Sequence, residues 1–295
     1  MHIGIMAMQI EALLPPPEAL KDPMGFIMGF DHAGLVRQIS AQGFKLIELG
    51  GDMTLFFPQA FSAASVEKLA ALKQELGLSF TLHLPLWSVE PSTLLQPVRQ
   101  GSVRALVEVA QATIPLGIEQ YVLHATGTLA AEFYQMRLPE AGKALILRQF
   151  QANARQSIKA LLAETGLPSR KLAVETIEFP FELMMELAEE QDTSICLDVG
   201  HVLAGFSGPI QLFDALEVIL PRLGEIHLHD APWQGPERKL GYGKDHQTLG
   251  AGDLDVAHLL DRLAQASWNG PIIFELTVAQ ALESLQLIHS IRPQF

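Results

Sequence analysis

Cysteine is almost absent from this chain. Cys196 is the only one, which excludes an internal disulfide and suits a reducing cytoplasm. Basic residues are also scarce: 20 Lys and Arg stand against 33 Asp and Glu, a formal charge of −13. A protein that grips a nucleic-acid backbone relies on lysine and arginine to displace counterions, and no basic block occurs here. Nucleic acid is therefore not expected as the main partner. No uninterrupted run of about 18 apolar residues appears, so no membrane-spanning helix is expected. The opening MHIGIMAMQIEALL lacks a basic n-region, and HIGIMA reads as a first strand rather than a signal peptide. No glycine-rich phosphate loop follows that strand, and no serine, histidine and aspartate arrangement suggests a nucleophilic triad.

What the chain does contain is apolar bulk. Hydrophobic residues make up 48% and charged ones 18% of 295 residues, ample for a large core and too apolar for disorder. Eight short apolar runs alternate with longer amphipathic stretches: HIGIMA (2–7), FKLIELGG (44–51), FTLHLP (80–85), QYVLHATG (120–127), KLAVETIE (171–178), SICLDVGH (194–201), EIHLHDA (225–231) and PIIFELT (271–277). The amphipathic stretches include SVEKLAALKQELG, QPVRQGSVRALVEVAQATIPLG and KALILRQFQANARQSIKALLAETG, with Gly77, Gly117 and Gly166 as stop signals. Such alternation argues for βα units and a parallel sheet. Eight units over this length predict an α/β fold, a (β/α)8 TIM barrel spanning 1–295 as one domain; a doubly wound open sheet is the alternative. Two long connections, MQIEALLPPPEALKDPMGFIMGF after the first strand and PWQGPERKLGYGKDHQTLGAGD after the seventh, are expected to cover the mouth. Either could equally fold onto the rim as extra core.

In a barrel the chemistry collects at the C-terminal strand ends. Those ends carry His83, His124, Glu175, Asp198 with His201, His227 with His229 and Asp230, and Glu275. One buried histidine, or one Asp198 with a capping His201, is ordinary structure. Six consecutive strands each ending in His, Asp or Glu point instead to a metal site, because a buried carboxylate is costly unless paired or metal-bound. Mixed imidazole and carboxylate donors suit Zn, Mn, Fe or Co, and the absence of cysteine at these ends excludes a thiolate site. The donors outnumber what one ion can use, so two ions sharing a carboxylate fit the inventory, as does one ion flanked by two glutamates.

The ordered set HLP, LHA, VET, LDVGH, IHLHD, DHQTLGAG and FEL resembles the xylose-isomerase-like barrel superfamily, which includes sugar isomerases and epimerases and the zinc-dependent apurinic-site endonucleases. The resemblance runs from the third strand to the last. Its endonuclease-type pattern implies one metal on His83, His124 and Glu175, and a second on Glu175 as the bridge with Asp198, His227 and Glu275. A third metal in that pattern uses His201, His246 and an aspartate two residues before His246. This chain has Lys244 there, which puts the third site in doubt, although Asp245 is adjacent. The isomerase pattern implies one metal on Glu175, Asp198, His227 and Glu275, with Glu175 and Glu275 as the acid/base pair.

The segments ETIEFPFELMMELAEEQDTSICLDVGH, IHLHD and GKDHQTL also resemble the cobamide-remodelling phosphodiesterases of the same superfamily. That likeness implies hydrolysis of the nucleotide-loop phosphodiester of a corrinoid, giving phosphorylated cobinamide and a nucleoside. The residues themselves are read as a centre of divalent metal, two ions, with Lys244 supplying charge to a phosphate where the third ion would have been; Glu175, Glu275, Lys244 and His246 are the candidate catalytic groups. His229 and Asp230 would orient His227 or the nucleophile, or would only make strand-end hydrogen bonds. Trp87, Trp233 and Glu178 are candidate substrate contacts, though a rim tryptophan more often packs. The expected partner is a small molecule, a corrinoid or a sugar phosphate. The alternative is a metal-dependent sugar or sugar-phosphate isomerase or epimerase; a non-catalytic binding barrel would not need buried carboxylates beside imidazoles.

Overall fold

A computed structural model describes residues 1–9, 17, 21–233 and 245–293. Its strands are β1 (His2–Met6), β2 (Leu46–Gly50), β3 (Ser79–His83), β4 (Tyr121–Leu123), β5 (Leu172–Glu175), β6 (Ser194–Asp198), β7 (Leu223–Leu228) and β8 (Pro271–Phe274). All pair in parallel with their sequence neighbours, and β1 closes on β8, so the eight runs form the expected (β/α)8 barrel.

The strands are buried almost throughout: β2, β6 and β7 have no exposed residue. That is why they read as near-continuous apolar runs, since a parallel barrel covers both faces of its sheet. Leu123, Ile195, Leu197, Ile226 and Leu228 join the main core, where the helices pack on the barrel. Each such side chain contributes about 1.5–3 kcal/mol by leaving water. Val122, Ala173 and Cys196 instead form a small separate apolar group. Successive side chains on a strand alternate faces, so the next residue on that inner face is His124, Glu175 and Asp198. The alternation therefore stacks a polar layer directly above an apolar plug.

The helices match the amphipathic stretches: Ala63–Leu76, Gln96–Thr113, Glu140–Thr165, Phe181–Gln191 and Val256–Gln265. Gly77, Gly117 and Gly166 adopt left-handed φ of 64°, 61° and 68° at their ends, a region in which a Cβ is penalised. The last helix, Val278–Ile291, opens on a capping box formed by Thr277 and Gln280. Three short helices were not foreseen. Pro23–Met28 lies within the first long connection, Met53–Phe56 follows β2, and Val199–Leu203 begins as β6 ends. The last begins where the strand ends at Asp198, as expected: the Asp198 side chain accepts the His201 N–H at 2.6 Å and turns the chain into a helix. Phe30 stacks on Phe57 at 3.9 Å, so the first connection packs as extra core against the segment after β2. Among the described residues no helix is long and apolar enough to cross a membrane.

Candidate metal centre

Glu175, the last residue of β5, is the hub. Its Oε2 meets His83 Nε2 at 3.1 Å and His124 Nε2 at 3.0 Å. Its Oε1 faces His201 Nδ1 at 3.4 Å and His227 Nδ1 at 3.6 Å. His227, opposite on β7, also faces Glu275 Oε1 at 3.3 Å and Asp198 Oδ2 at 3.9 Å through the same nitrogen. The register explains the convergence: Asp198 and His227 are Cα partners on adjacent strands, and Glu275 directly follows β8.

The metal-type donors fall into adjoining groups whose atoms lie within 4.8 Å of one another: His83, His124 and Glu175; Glu175, Asp198, His227 and Glu275; and His201, His229 and His246. Every metal-donor position expected from the strand ends and from His246 is therefore brought into one patch.

Local contacts aim these side chains. His83 Nδ1 meets the Leu84 carbonyl at 2.8 Å, which leaves Nε2 facing Glu175. His201 Nδ1 meets the Thr176 carbonyl at 3.1 Å, leaving Nε2 toward Asp245 Oδ2 at 3.4 Å. His229 reaches Asp198 Oδ2 at 3.0 Å through Nε2 and the Asp245 carbonyl through Nδ1, and its ring stacks on His246 at 4.0 Å. His229 thus orients Asp198 rather than His227, as the sequence had suggested. Asp230 takes the structural role alone. It is fully buried and accepts the N–H groups of Ala231, Gly250 and Leu254 at 2.9, 2.8 and 3.0 Å.

Asp245 is the largest gain over the sequence reading. Its Oδ2 lies 3.0 Å from His246 Nδ1 and 3.4 Å from His201 Nε2, so a carboxylate does stand between the two imidazoles of the third group. Lys244 lies outside the described residues. Of the candidate substrate contacts, Trp87 is 43% exposed and meets Phe56 edge-on at 5.9 Å. Asp52, buried after β2, holds that rim by accepting the Leu86 N–H at 2.9 Å. Glu178 is half-buried and accepts a hydrogen bond from Gln135 at 3.2 Å. Trp233 packs against the core, with its N–H on Asp253 at 2.8 Å. Two further buried acids were not foreseen: Glu48 on β2 and Glu225 on β7, both fully buried near His227. A glutamate inside an otherwise apolar run was the available signal for each.

Electrostatics tie the donors of the cluster together. Burial disfavours the charged imidazole of His83, but the Glu175 carboxylate outweighs it and raises the pKa to about 9. Burial likewise opposes protonation of His246, and hydrogen bonds to Asp245 and Glu275 raise it to about 10. For Glu175 and Glu275 burial pushes the pKa up, yet the surrounding imidazoles, His124 and His227 foremost, hold both carboxyls below the usual carboxylate range. Burial beside Glu48 pushes the Glu225 carboxyl well up. Meanwhile Glu175 Oε1 and both nitrogens of His227, all buried, have no aligned hydrogen-bond partner. Orphaned polar atoms of this kind are expensive unless something binds them. Divalent cations in these groups fit, for they satisfy the orphans and offset the carboxylate charge.

The chain matches the sequence profile of the xylose isomerase-like TIM barrel family over residues 36–291. A search of curated proteins found no match. Similar solved structures include a D-tagatose 3-epimerase-like protein, with 15% identity, TM-score 0.70, and 99% of this chain covering 97% of that one. The 3-keto-D-glucoside 4-epimerase from E. coli has 17% identity and TM-score 0.68 over 98% of this chain and 99% of its own. Endonuclease IV from Thermus thermophilus has 21% identity and TM-score 0.62 over 90% and 95%. At such identities the likeness establishes the fold. With the profile covering most of its length, the chain belongs to the xylose isomerase-like TIM barrel family.

Proposed function

We propose that the protein is a metal-dependent phosphodiesterase, and that its substrate is the nucleotide-loop phosphodiester of a cobamide. The observation that carries hydrolysis is the surplus of donors around Glu175: one carboxylate is shared between a histidine-rich group and a four-donor group, with a third imidazole group alongside. A single ion needs only one of these. Divalent ions held by His83, His124 and Glu175, and by Glu175, Asp198, His227 and Glu275, would supply Lewis acidity and charge neutralisation at a phosphoryl centre. His246, the most exposed of the six imidazoles at 36%, is held between Asp245 and Glu275. It can hold a proton at Nε2 for the leaving oxygen while Asp245 fixes the other face of the ring. The cobamide assignment is supported by the sequence likeness over 175–201, 226–230 and 243–249. The exposed apolar edge at Trp87 and Phe56 suits a large, partly apolar molecule, and the net charge of −13 suits neither DNA nor RNA.

A second reading is favoured by a specific arrangement. Glu175, Asp198, His227 and Glu275 form a self-contained four-donor group, with a glutamate on each side of His227. That is the donor set for one ion and an acid/base pair beside a carbonyl, as in a ketose epimerase. Several of the similar structures are sugar epimerases, so the comparisons favour this reading while the donor surplus favours the first.

Reduced protein loaded with Mn, Fe, Co or Zn and incubated with adenosylated cobamide separates the two. Phosphorylated cobinamide and free nucleoside by mass spectrometry, lost in Asp198→Ala, is the expected result. Intact cobamide with every metal, together with deuterium uptake from heavy water into a ketose or ketose phosphate, overturns it in favour of the epimerase.

A further inference from the structure

His227 faces carboxylates through both ring nitrogens. Nδ1 points into the donor cluster, toward Glu275 and Glu175, whereas Nε2 lies 3.3 Å from the buried Glu48 Oε1, an atom that like Nε2 has no aligned hydrogen-bond partner. A neutral imidazole carries one N–H, and a nitrogen that binds a cation must offer its lone pair. The proton must then sit on Nε2, inside a barrel from which water is excluded: His227 and Glu48 are both 0% exposed.

We propose that Glu48 is a positioning residue that holds the proton of His227 on Nε2, so that Nδ1 is the nitrogen presented to the metal. The inference rests on the metal-centre reading and holds for either reaction. Local structure supports it. Glu48 and Thr81 are Cα partners across β2 and β3, and the Thr81 hydroxyl donates to Glu48 Oε2 at 3.2 Å. That contact fixes one carboxylate oxygen and turns the other toward His227. A carboxylate buried on an apolar strand is costly without such a task. Partners of this kind fix ring orientation and raise the basicity of the metal-binding nitrogen, and their loss typically lowers metal affinity by about 10–100-fold.

The test uses the full chain labelled with 15N-histidine and loaded with zinc. Long-range proton–nitrogen spectra, with His227 assigned by its loss in His227→Asn, should show the proton on Nε2 and a metal-shifted Nδ1. Glu48→Ala should weaken zinc binding by about 10–100-fold. Glu48→Gln, which keeps a carbonyl acceptor, should recover part of that loss. A proton on Nδ1 in the zinc-bound wild type overturns the proposal, as does unchanged affinity in Glu48→Ala. Should Glu48→Ala fail to fold, the wild-type spectrum and Glu48→Gln decide alone. Wild-type protein that binds no zinc removes the metal centre itself, a different failure from zinc bound with the wrong tautomer.

Discussion

Replacing Glu175 by Gln keeps the volume and removes the one charge that three imidazoles approach within 3.4 Å. In the metal-free protein this breaks a buried ion pair, which typically costs about 3–5 kcal/mol. In the wild type, a divalent ion at a hundred times its dissociation constant adds about 2.7 kcal/mol to stability. At about 2–4 °C per kcal/mol for a chain of this size class, that is a rise in Tm of roughly 5–10 °C. Because Glu175 belongs to two of the donor groups, its loss should remove most of that rise and lower the bound metal by at least one ion per chain. The assay is thermal unfolding with and without chelator, beside elemental analysis of the dialysed protein. A Glu175→Gln variant with the wild-type metal content and the wild-type Tm rise would refute the idea that this carboxylate is shared.

Other outcomes follow from the same cluster. The folded pKa values of His83 and His246, about 9 and 10, lie above the ordinary 6.5. Their contribution to chelated protein is therefore complete below about pH 6.5 and lost as pH rises through 9 to 10. The Tm of chelated protein should fall across that window while metal affinity rises, since binding displaces those protons; a flat Tm would contradict the pairing. Gly200→Ala should disorder the third group, because its Cβ would strike the His229 ring and approach the Asp245 carbonyl to 2.8 Å; metal titration should show at least tenfold weaker binding with little change in helix content. Asp230→Ala leaves three backbone N–H groups without their acceptor and should cost about 3 kcal/mol or more, read by denaturant unfolding. Cys196, fully buried with its thiol pushed well up by that burial, should react with a thiol reagent only after unfolding.

The barrel was legible because each strand is buried on both faces, which makes it an unbroken apolar run of the right length. The donor layer was legible because His83, Glu175, Asp198 and Glu275 each end or directly follow such a run. What escaped were contacts that depend on register across the barrel. Glu48 sits mid-strand and becomes meaningful only when β2 is seen to face His227 on β7. Asp245 was in view beside Lys244, but only the fold places it. The spacing pointed to Lys244, whereas the antiparallel bridge between Asp230 and Gln247 sets which residue faces His201. The sequence leaves His229 to orient His227 or the nucleophile, or to make strand-end hydrogen bonds; in the fold its nitrogens reach Asp198 and the Asp245 carbonyl.

The Asp230 clasp makes the third donor group a property of the fold. Its carboxylate accepts the Gly250 and Leu254 N–H groups and its backbone pairs with Gln247, which anchors the stretch 247–254 directly after Asp245 and His246. A carboxylate that touches none of the donors thereby helps set where two of them stand, and a change there would reach the centre through the backbone alone.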